Sequence, residues 1–350
     1  MEPQVVTVLI VDDSPIQQKL FAHLCKTDPA LRVIGVVGDG AEALAFVLKQ
    51  RPDVILMDIM MPVMNGFEAT RRIMETVPIP IVICSGSTLP GEVDKTFLAL
   101  EAGAVAFINK PVGPGHPRFQ AEVVNMVKTL KAMAEIKLTM RTPRKPATRS
   151  AESLPVTRPW PRRPWLVAIG ASTGGPVVLQ TILKNLPKDF SLPLLIVQHI
   201  SEGFMQGLVD WLGSTTGFPV HIAASGMKII PGQAYLAPDD FHMGMNGDGT
   251  IQLSRDPQEN GLRPAVSYLF RSVTAVCGSS AVGVLLTGMG NDGAEDLKRM
   301  KDRGALTIAQ DKESSVIHGM PGEAIRMGGA SHVLSPEAIS SLLASLVQQP

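Results

Sequence analysis

The sequence predicts two α/β domains, each a doubly wound parallel sheet, joined by a polar tether. Three observations carry this. The chain has 350 residues, room for two domains of roughly 150 residues each. Short β-branched runs alternate with helix-length stretches in both halves, the pattern of βαβ units. Between the halves, Lys137 to Arg163 hold eight basic residues, one acid (Glu152) and five prolines, with no apolar periodicity. Such a stretch cannot bury enough apolar surface to offset its ordering entropy, so it reads as a linker. The expected division is 1–136, 137–163 and 164–350.

Composition narrows the function classes. Lys+Arg 32 balance Asp+Glu 32, and aromatics are only 5%, which argues against nucleic acid or an anionic membrane as the main partner. No apolar run approaches the ~18 residues of a membrane span. Met1-Glu2-Pro3-Gln4 lacks the basic start of a secretory signal. Cys25, Cys84 and Cys277 are odd in number, widely spaced and without a CxxC pair, which speaks against a disulfide framework or a structural zinc site. The chain reads as cytoplasmic and not membrane-inserted.

In the first half, strands are expected at Val5–Val11, Arg32–Val37, Val54–Met57, Pro80–Cys84 and Val105–Ile108, with helices such as Ala41–Lys49 and Glu92–Glu101 between them. In an open parallel sheet, ligands gather beyond the carboxyl ends of the strands near the topological switch point. Those ends carry Asp12 and Asp13, then Asp58, Ser85, and Lys110 followed by Pro111. Acids in this arrangement suit a hard, oxygen-ligated Mg²⁺. The cation brings a phosphate up to a carboxylate nucleophile that would otherwise repel it. Lysine then neutralises the phosphoryl oxygens, and serine donates a hydrogen bond only when phosphate is present. There is no G-x-x-x-x-G-K-[ST] loop, so the domain is expected to receive phosphate rather than bind a nucleotide.

These motifs are Val11-Asp12-Asp13-Ser14, Met57-Asp58-Ile59-Met60-Met61-Pro62, Asn65-Gly66, Ser85 and Lys110-Pro111. Together they resemble the receiver domain of two-component response regulators over residues 5–135. The resemblance implies a flavodoxin-like fold, Asp58 as phosphoacceptor, and Mg²⁺ on Asp12, Asp13 and Asp58. It also implies a phosphorylation switch at Ser85, Phe107 and Lys110, and a sensor histidine kinase of the chemotaxis type as partner.

In the second half, strands are expected at Trp165–Ile169, Leu194–Gln198, Ala281–Leu286 and Ala305–Ala309, with hairpins inserted in the Pro-, Gly- and Asp-rich segment from Val220 to Ser254. The first strand runs into Gly170-Ala171-Ser172-Thr173-Gly174-Gly175-Pro176. The turn lacks the G-x-G-x-x-G spacing of a dinucleotide fingerprint. It could cradle phosphate at a helix N-terminus, or present a nucleophile, since it satisfies G-x-S-x-G. A nucleophile needs a base and an orienter. His199 ends the next strand, which puts it on the same sheet edge as Ser172. Asp292, in Met289-Gly290-Asn291-Asp292-Gly293, and Asp311, after Gln310, are the rival acids. An α/β-hydrolase places its acid before its histidine, so this order would be a separate solution.

Residues 165–335 resemble the catalytic domain of the chemotaxis protein-glutamate methylesterases. The motifs are Ile169-Gly-Ala-Ser172-Thr-Gly-Gly-Pro176, Val197-Gln-His199, Leu286-Thr-Gly-Met289-Gly-Asn-Asp292-Gly293, Ile308-Ala-Gln-Asp311 and His318-Gly-Met-Pro321. A receiver in front completes that family's architecture. The resemblance implies Ser172 as nucleophile, His199 as general base and Asp292 as its orienter, with Thr173 and Met289 near the oxyanion site and no cofactor in this domain. The implied reaction is hydrolysis of γ-glutamyl methyl esters on the cytoplasmic helices of chemoreceptors, with release of methanol; many members also deamidate receptor glutamines. The alternative is a phospho-switched receptor-binding module, or a regulator of a non-motility chemosensory array with little esterase activity. A pure binder has no need of all three triad residues. One departure stands out: Arg263-Pro264-Ala265-Val266-Ser267 occupies the place where the family commonly reads R-P-S-V-D. A polar pair is thus lost beside the presumed cleft, which is expected to bear on substrate selection.

Overall fold

A computed structural model describes residues 5–86, 90–136 and 164–347, and the chain divides into two units. The expected linker, 137–163, lies outside the described residues. The first unit runs β1 (Val6–Val11), α1 (Pro15–Lys26), β2 (Leu31–Val37), α2 (Gly40–Val47), β3 (Val54–Asp58), α3 (Gly66–Thr76), β4 (Ile81–Ser85), α4 (Pro90–Glu101), β5 (Ala106–Asn109) and α5 (Phe119–Ala134). Its sheet is parallel, in the order β2-β1-β3-β4-β5, the flavodoxin-like arrangement with its switch point between β1 and β3. Every residue of β3 and β4 is buried. Burial on both faces is why these strands read as continuous apolar runs rather than alternating ones.

Local signals start α1 and α3 just past the ends of β1 and β3. Ser14 caps α1, accepting the Gln17 N–H, and Pro15 takes the first helical position. Asn65 caps α3 by accepting the Glu68 N–H. Three strands extend one residue further than their apolar runs predict: β3 includes Asp58, β4 includes Ser85 and β5 includes Asn109. The neighbouring ladders hold them there, Asp58 opposite Cys84 and Ser85 opposite Asn109.

The second unit runs β6 (Leu166–Ala171), α6 (Gly175–Asn185), β7 (Leu194–Gln198), α7 (Met205–Thr216), β8 (Val220–Ile222), β9 (Ala234–Leu236), β10 (His242–Met245), β11 (Ile251–Ser254), α8 (Val266–Cys277), β12 (Ala281–Leu285), α9 (Ala294–Asp302), β13 (Leu306–Gln310), α10 (Met320–Arg326), β14 (His332–Leu334) and α11 (Pro336–Val347). Seven parallel strands form one sheet in the order β14-β13-β12-β6-β7-β9-β8. β6 lies between β7, which follows it, and β12, which returns on its other side. The crevice therefore opens at the carboxyl ends of β6 and β12. Leu269, Phe270 and Val273 of α8 pack with Leu166, Ala168 and Leu285 in the core beneath it.

The Val220–Ser254 segment corrects the expectation of inserted hairpins. Only β10 and β11 form an antiparallel hairpin; β8 and β9 join the main sheet in parallel. Three-residue strands are too short for periodicity to reveal, and the β7 ladder rather than a local turn decides their direction. β14 escapes the sequence reading for the same reason. No helix among the described residues is long and apolar enough to cross a membrane.

Candidate functional site

At the edge of the second unit, Ser172 follows β6 and His199 follows β7, adjacent strands paired through Ala171 and Gln198. Asp292 lies in the turn between β12 and α9. His199 Nε2 stands 3.0 Å from Asp292 Oδ2, close but out of line for a well-formed hydrogen bond. With Nε2 turned to the acid, Nδ1 is the nitrogen left for a serine proton. Among the described residues no hydrogen bond joins Ser172 Oγ to His199; unliganded sites of this kind commonly tighten only around substrate.

Asp292 is buried, and its carboxylate caps a helix from outside the chain segment. Oδ2 accepts the Val266 N–H at 2.7 Å and Oδ1 the Ser267 N–H at 3.0 Å, the first two N–H groups of α8. The Ala265 cap position makes no side-chain bond of its own. Burial alone would raise the Asp292 pKa. His199, the Ser267 side chain and the Val266 N–H outweigh it and hold the carboxyl below the usual range, and the helix N-terminus acts in the same direction. Asp311, the rival acid, instead accepts the N–H and hydroxyl of Ser314 in its own turn.

The departure at 265 and 267 proves to be internal. Ala265 is fully buried and Ser267 nearly so, and Ser267 Oγ accepts the Gly293 N–H at 2.9 Å. Ser267 thereby supports the Asp292 turn from inside the domain.

The Ser172 turn is held by the segment that follows β12. Ser172 N–H donates to Thr287 O at 3.0 Å, and Thr287 Oγ1 donates to Thr173 O. A Cβ on Gly288 would lie 2.7 Å from Ser172 Cβ, so only glycine lets the two segments approach. With the Ser172 N–H engaged, the N–H groups of Thr173 and Met289 have no acceptor among the described residues. Thr173 is half-buried and the Met289 side chain exposed.

In the first unit, carboxylate oxygens of Asp12, Asp13 and Asp58 lie within 4.8 Å of one another. Asp12 and Asp58 are buried, and Asp13 is exposed. Lys110 Nζ stands 2.8 Å from Asp12 Oδ2 and 2.9 Å from Asp58 Oδ2. Asp12 Oδ2 is nevertheless buried with no aligned hydrogen-bond donor. An oxygen-only cluster of this kind fits a hard divalent cation. Burial raises the Asp58 pKa, and the Asp12 charge adds to it against the pull of Lys110 and the Ile59 N–H. The same acids hold the Lys110 ammonium protonated despite burial. Ser85 is buried at the end of β4. Phe107 is half-buried on β5, its ring packed edge-on against Phe97 with centroids 5.8 Å apart.

Sequence reasoning quoted Gln198 and Thr287 within motifs but gave neither a role, and it missed the Val266 and Ser267 N–H groups.

Comparison with known proteins agrees with this architecture. Residues 167–343 match the CheB methylesterase family and residues 8–118 the response regulator receiver domain. The chain is 55% identical over 98% of its length to "Protein-glutamate methylesterase/protein-glutamine glutaminase 4" of Geobacter metallireducens, covering 99% of that protein. It is 49% identical to the protein-glutamate methylesterase/protein-glutamine glutaminase of Nitrosospira multiformis, covering 98% of each chain. The crystal structure of the Thermotoga maritima CheB methylesterase catalytic domain aligns with a TM-score of 0.51 at 39% identity, covering 52% of this chain and 98% of that one.

Proposed function

The chain belongs to the CheB methylesterase family, with a response regulator receiver domain ahead of the catalytic domain, and from that membership we propose how its residues act. It is a phosphorylation-regulated serine esterase that hydrolyses glutamyl methyl esters on chemoreceptors and deamidates receptor glutamines, giving adaptation in a chemosensory pathway. The observation that carries the reading is the His199–Asp292 contact at 3.0 Å on the sheet edge that also bears Ser172. Ser172 Oγ attacks the γ-carbonyl while His199 Nδ1 takes its proton, and Asp292 steadies the imidazolium. The Thr173 and Met289 N–H groups receive the oxyanion. Collapse returns the proton from His199 to the leaving oxygen, and methanol departs. Water, activated by the same histidine, then releases the glutamate and restores Ser172.

In the receiver domain, Asp58 accepts a phosphoryl group from a sensor histidine kinase. Asp12, Asp13 and Asp58 would hold Mg²⁺, whose charge would offset negative charge where the phosphate arrives. Lys110 pairs with the phosphoryl oxygens, and Ser85 and Phe107 turn towards the modified Asp58. The domains are taken as 1–136 and 164–350 with 137–163 as linker, in a cytoplasmic protein. A receptor-binding role without catalysis is not favoured, since relatives at 49–55% identity over nearly the whole chain carry the enzyme's name. The test is methanol release from methylated receptor membranes by the wild type and by Ser172→Ala. Equal rates would sink the reading.

A further inference from the structure

Gln198 closes β7 with its side chain fully buried. The β6–β7 ladder ends at Ala171 and Gln198, with one last backbone bond from the His199 N–H to Ala171 O at 2.9 Å. Beyond that point the strands part, and the carbonyls of Ser172 and His199 have no strand partner. The Gln198 carboxamide supplies the missing rung: Nε2 donates to Ser172 O and to His199 O, each at 2.8 Å. The Gly175 N–H holds Ser172 O from its other side, also at 2.8 Å.

From these contacts we propose that Gln198 is a positioning residue, whose carboxamide ties the serine turn to the histidine and sets the approach of Ser172 Oγ to the His199 ring. The proposal rests on Ser172 and His199 being nucleophile and base. Glutamine is the side chain the geometry calls for. An amide nitrogen carries two hydrogens for two carbonyls without adding charge; glutamate offers no donor, and asparagine is one methylene shorter.

Gln198 Oε1 is buried without a hydrogen-bond partner, a cost set against the two carbonyls that Nε2 satisfies. The fold also makes room for it. A Cβ on Gly175 would lie 2.1 Å from Oε1 and 2.9 Å from Ala171 Cβ. Gly175 is not among the residues of positive φ, so helix geometry does not require glycine there. The carboxamide does.

The test uses the full-length protein on methylated receptor membranes, with kcat and KM measured separately. Gln198→Leu is expected to lower kcat by about 10- to 100-fold, with KM changed less than about twofold, the signature of misplaced reacting groups rather than lost binding. Inactivation of Ser172 by phenylmethanesulfonyl fluoride should slow by a similar factor. Gly175→Ala, which suits a helix start, should lower kcat in the same direction by displacing the carboxamide, and decides the matter if Gln198→Leu fails to fold. Wild-type kcat in a folded Gln198→Leu or in Gly175→Ala overturns the proposal. Ser172→Ala run alongside separates the readings: if it stays active, the nucleophile assignment has failed, and not the role of Gln198.

Discussion

His199 Nε2 and the Val266 N–H converge on one atom, Asp292 Oδ2, at 3.0 and 2.7 Å. The acid beside the histidine is therefore also the cap of α8. A carboxylate pinned by two backbone N–H groups cannot rotate away, so the imidazole meets an acceptor of fixed direction. Asp292→Ala should cost both functions. Methanol release is expected to fall by roughly 10³–10⁴-fold, as for other triad acids, and unfolding should come at lower denaturant because a helix cap worth about 1 kcal/mol is lost. Asp311→Ala should keep most of its activity, since Asp311 serves only its own turn. Initial rates and urea melts of both variants check this; a dead Asp311→Ala beside a normal Asp292→Ala would reverse the assignment.

The depressed Asp292 pKa has a definite sign for stability. A carboxyl held below its ordinary value of 3.8 stabilises the fold above that value and loses the contribution as pH falls through the lower folded value. The stability difference between wild type and Asp292→Asn should thus persist down to about pH 4 and shrink at more acidic pH. Urea titrations across that range would show it. A difference already vanishing near pH 6 would mean that the carboxylate is not so held.

Ser267 supports the Asp292 turn through the Gly293 N–H. Ser267→Ala leaves the Gly293 N–H, buried at the start of α9, without its acceptor, a loss of about 1–3 kcal/mol. The variant should melt several degrees lower, with KM for methylated receptors changed less than about twofold. A large change in KM at unchanged stability would restore the reading of this position as part of the cleft.

Asp58 is raised by burial and by Asp12, so its ionisation costs stability above the folded pKa, and the cost disappears as pH falls towards 3.8. Asp58→Asn should therefore be more stable than wild type at neutral pH, with the gain fading under acid. Millimolar Mg²⁺ should raise the melting temperature of wild type and do little for Asp58→Asn. Equal stabilisation of both by Mg²⁺ would place the cation elsewhere.

A small-molecule phosphodonor with Mg²⁺ should label wild type with a base-labile acyl phosphate and stimulate methanol release. Asp58→Asn should show neither response. Stimulation without labelling at Asp58 would separate the enzyme's regulation from this site.

Much of the molecule was written locally. The strand–helix alternation announced both parallel sheets, because a strand buried on both faces must be apolar throughout and a crossover helix must follow it. Functional side chains at strand ends were legible for the same reason, since Asp12, Asp58, Ser172 and His199 each interrupt an apolar run. Local sequence could not choose between Asp292 and Asp311, both acids beyond a strand end. Contact with β6 chose, by setting the β12 turn and the start of α8 against His199 and leaving Asp311 to its own turn. Gln198 is the sharper case. In sequence it is one polar residue closing an apolar strand, and its two carbonyl partners belong to different strand ends. A hydrogen bond that joins separate chain segments has no signature in either of them; it exists only once the sheet has brought β6 and β7 side by side.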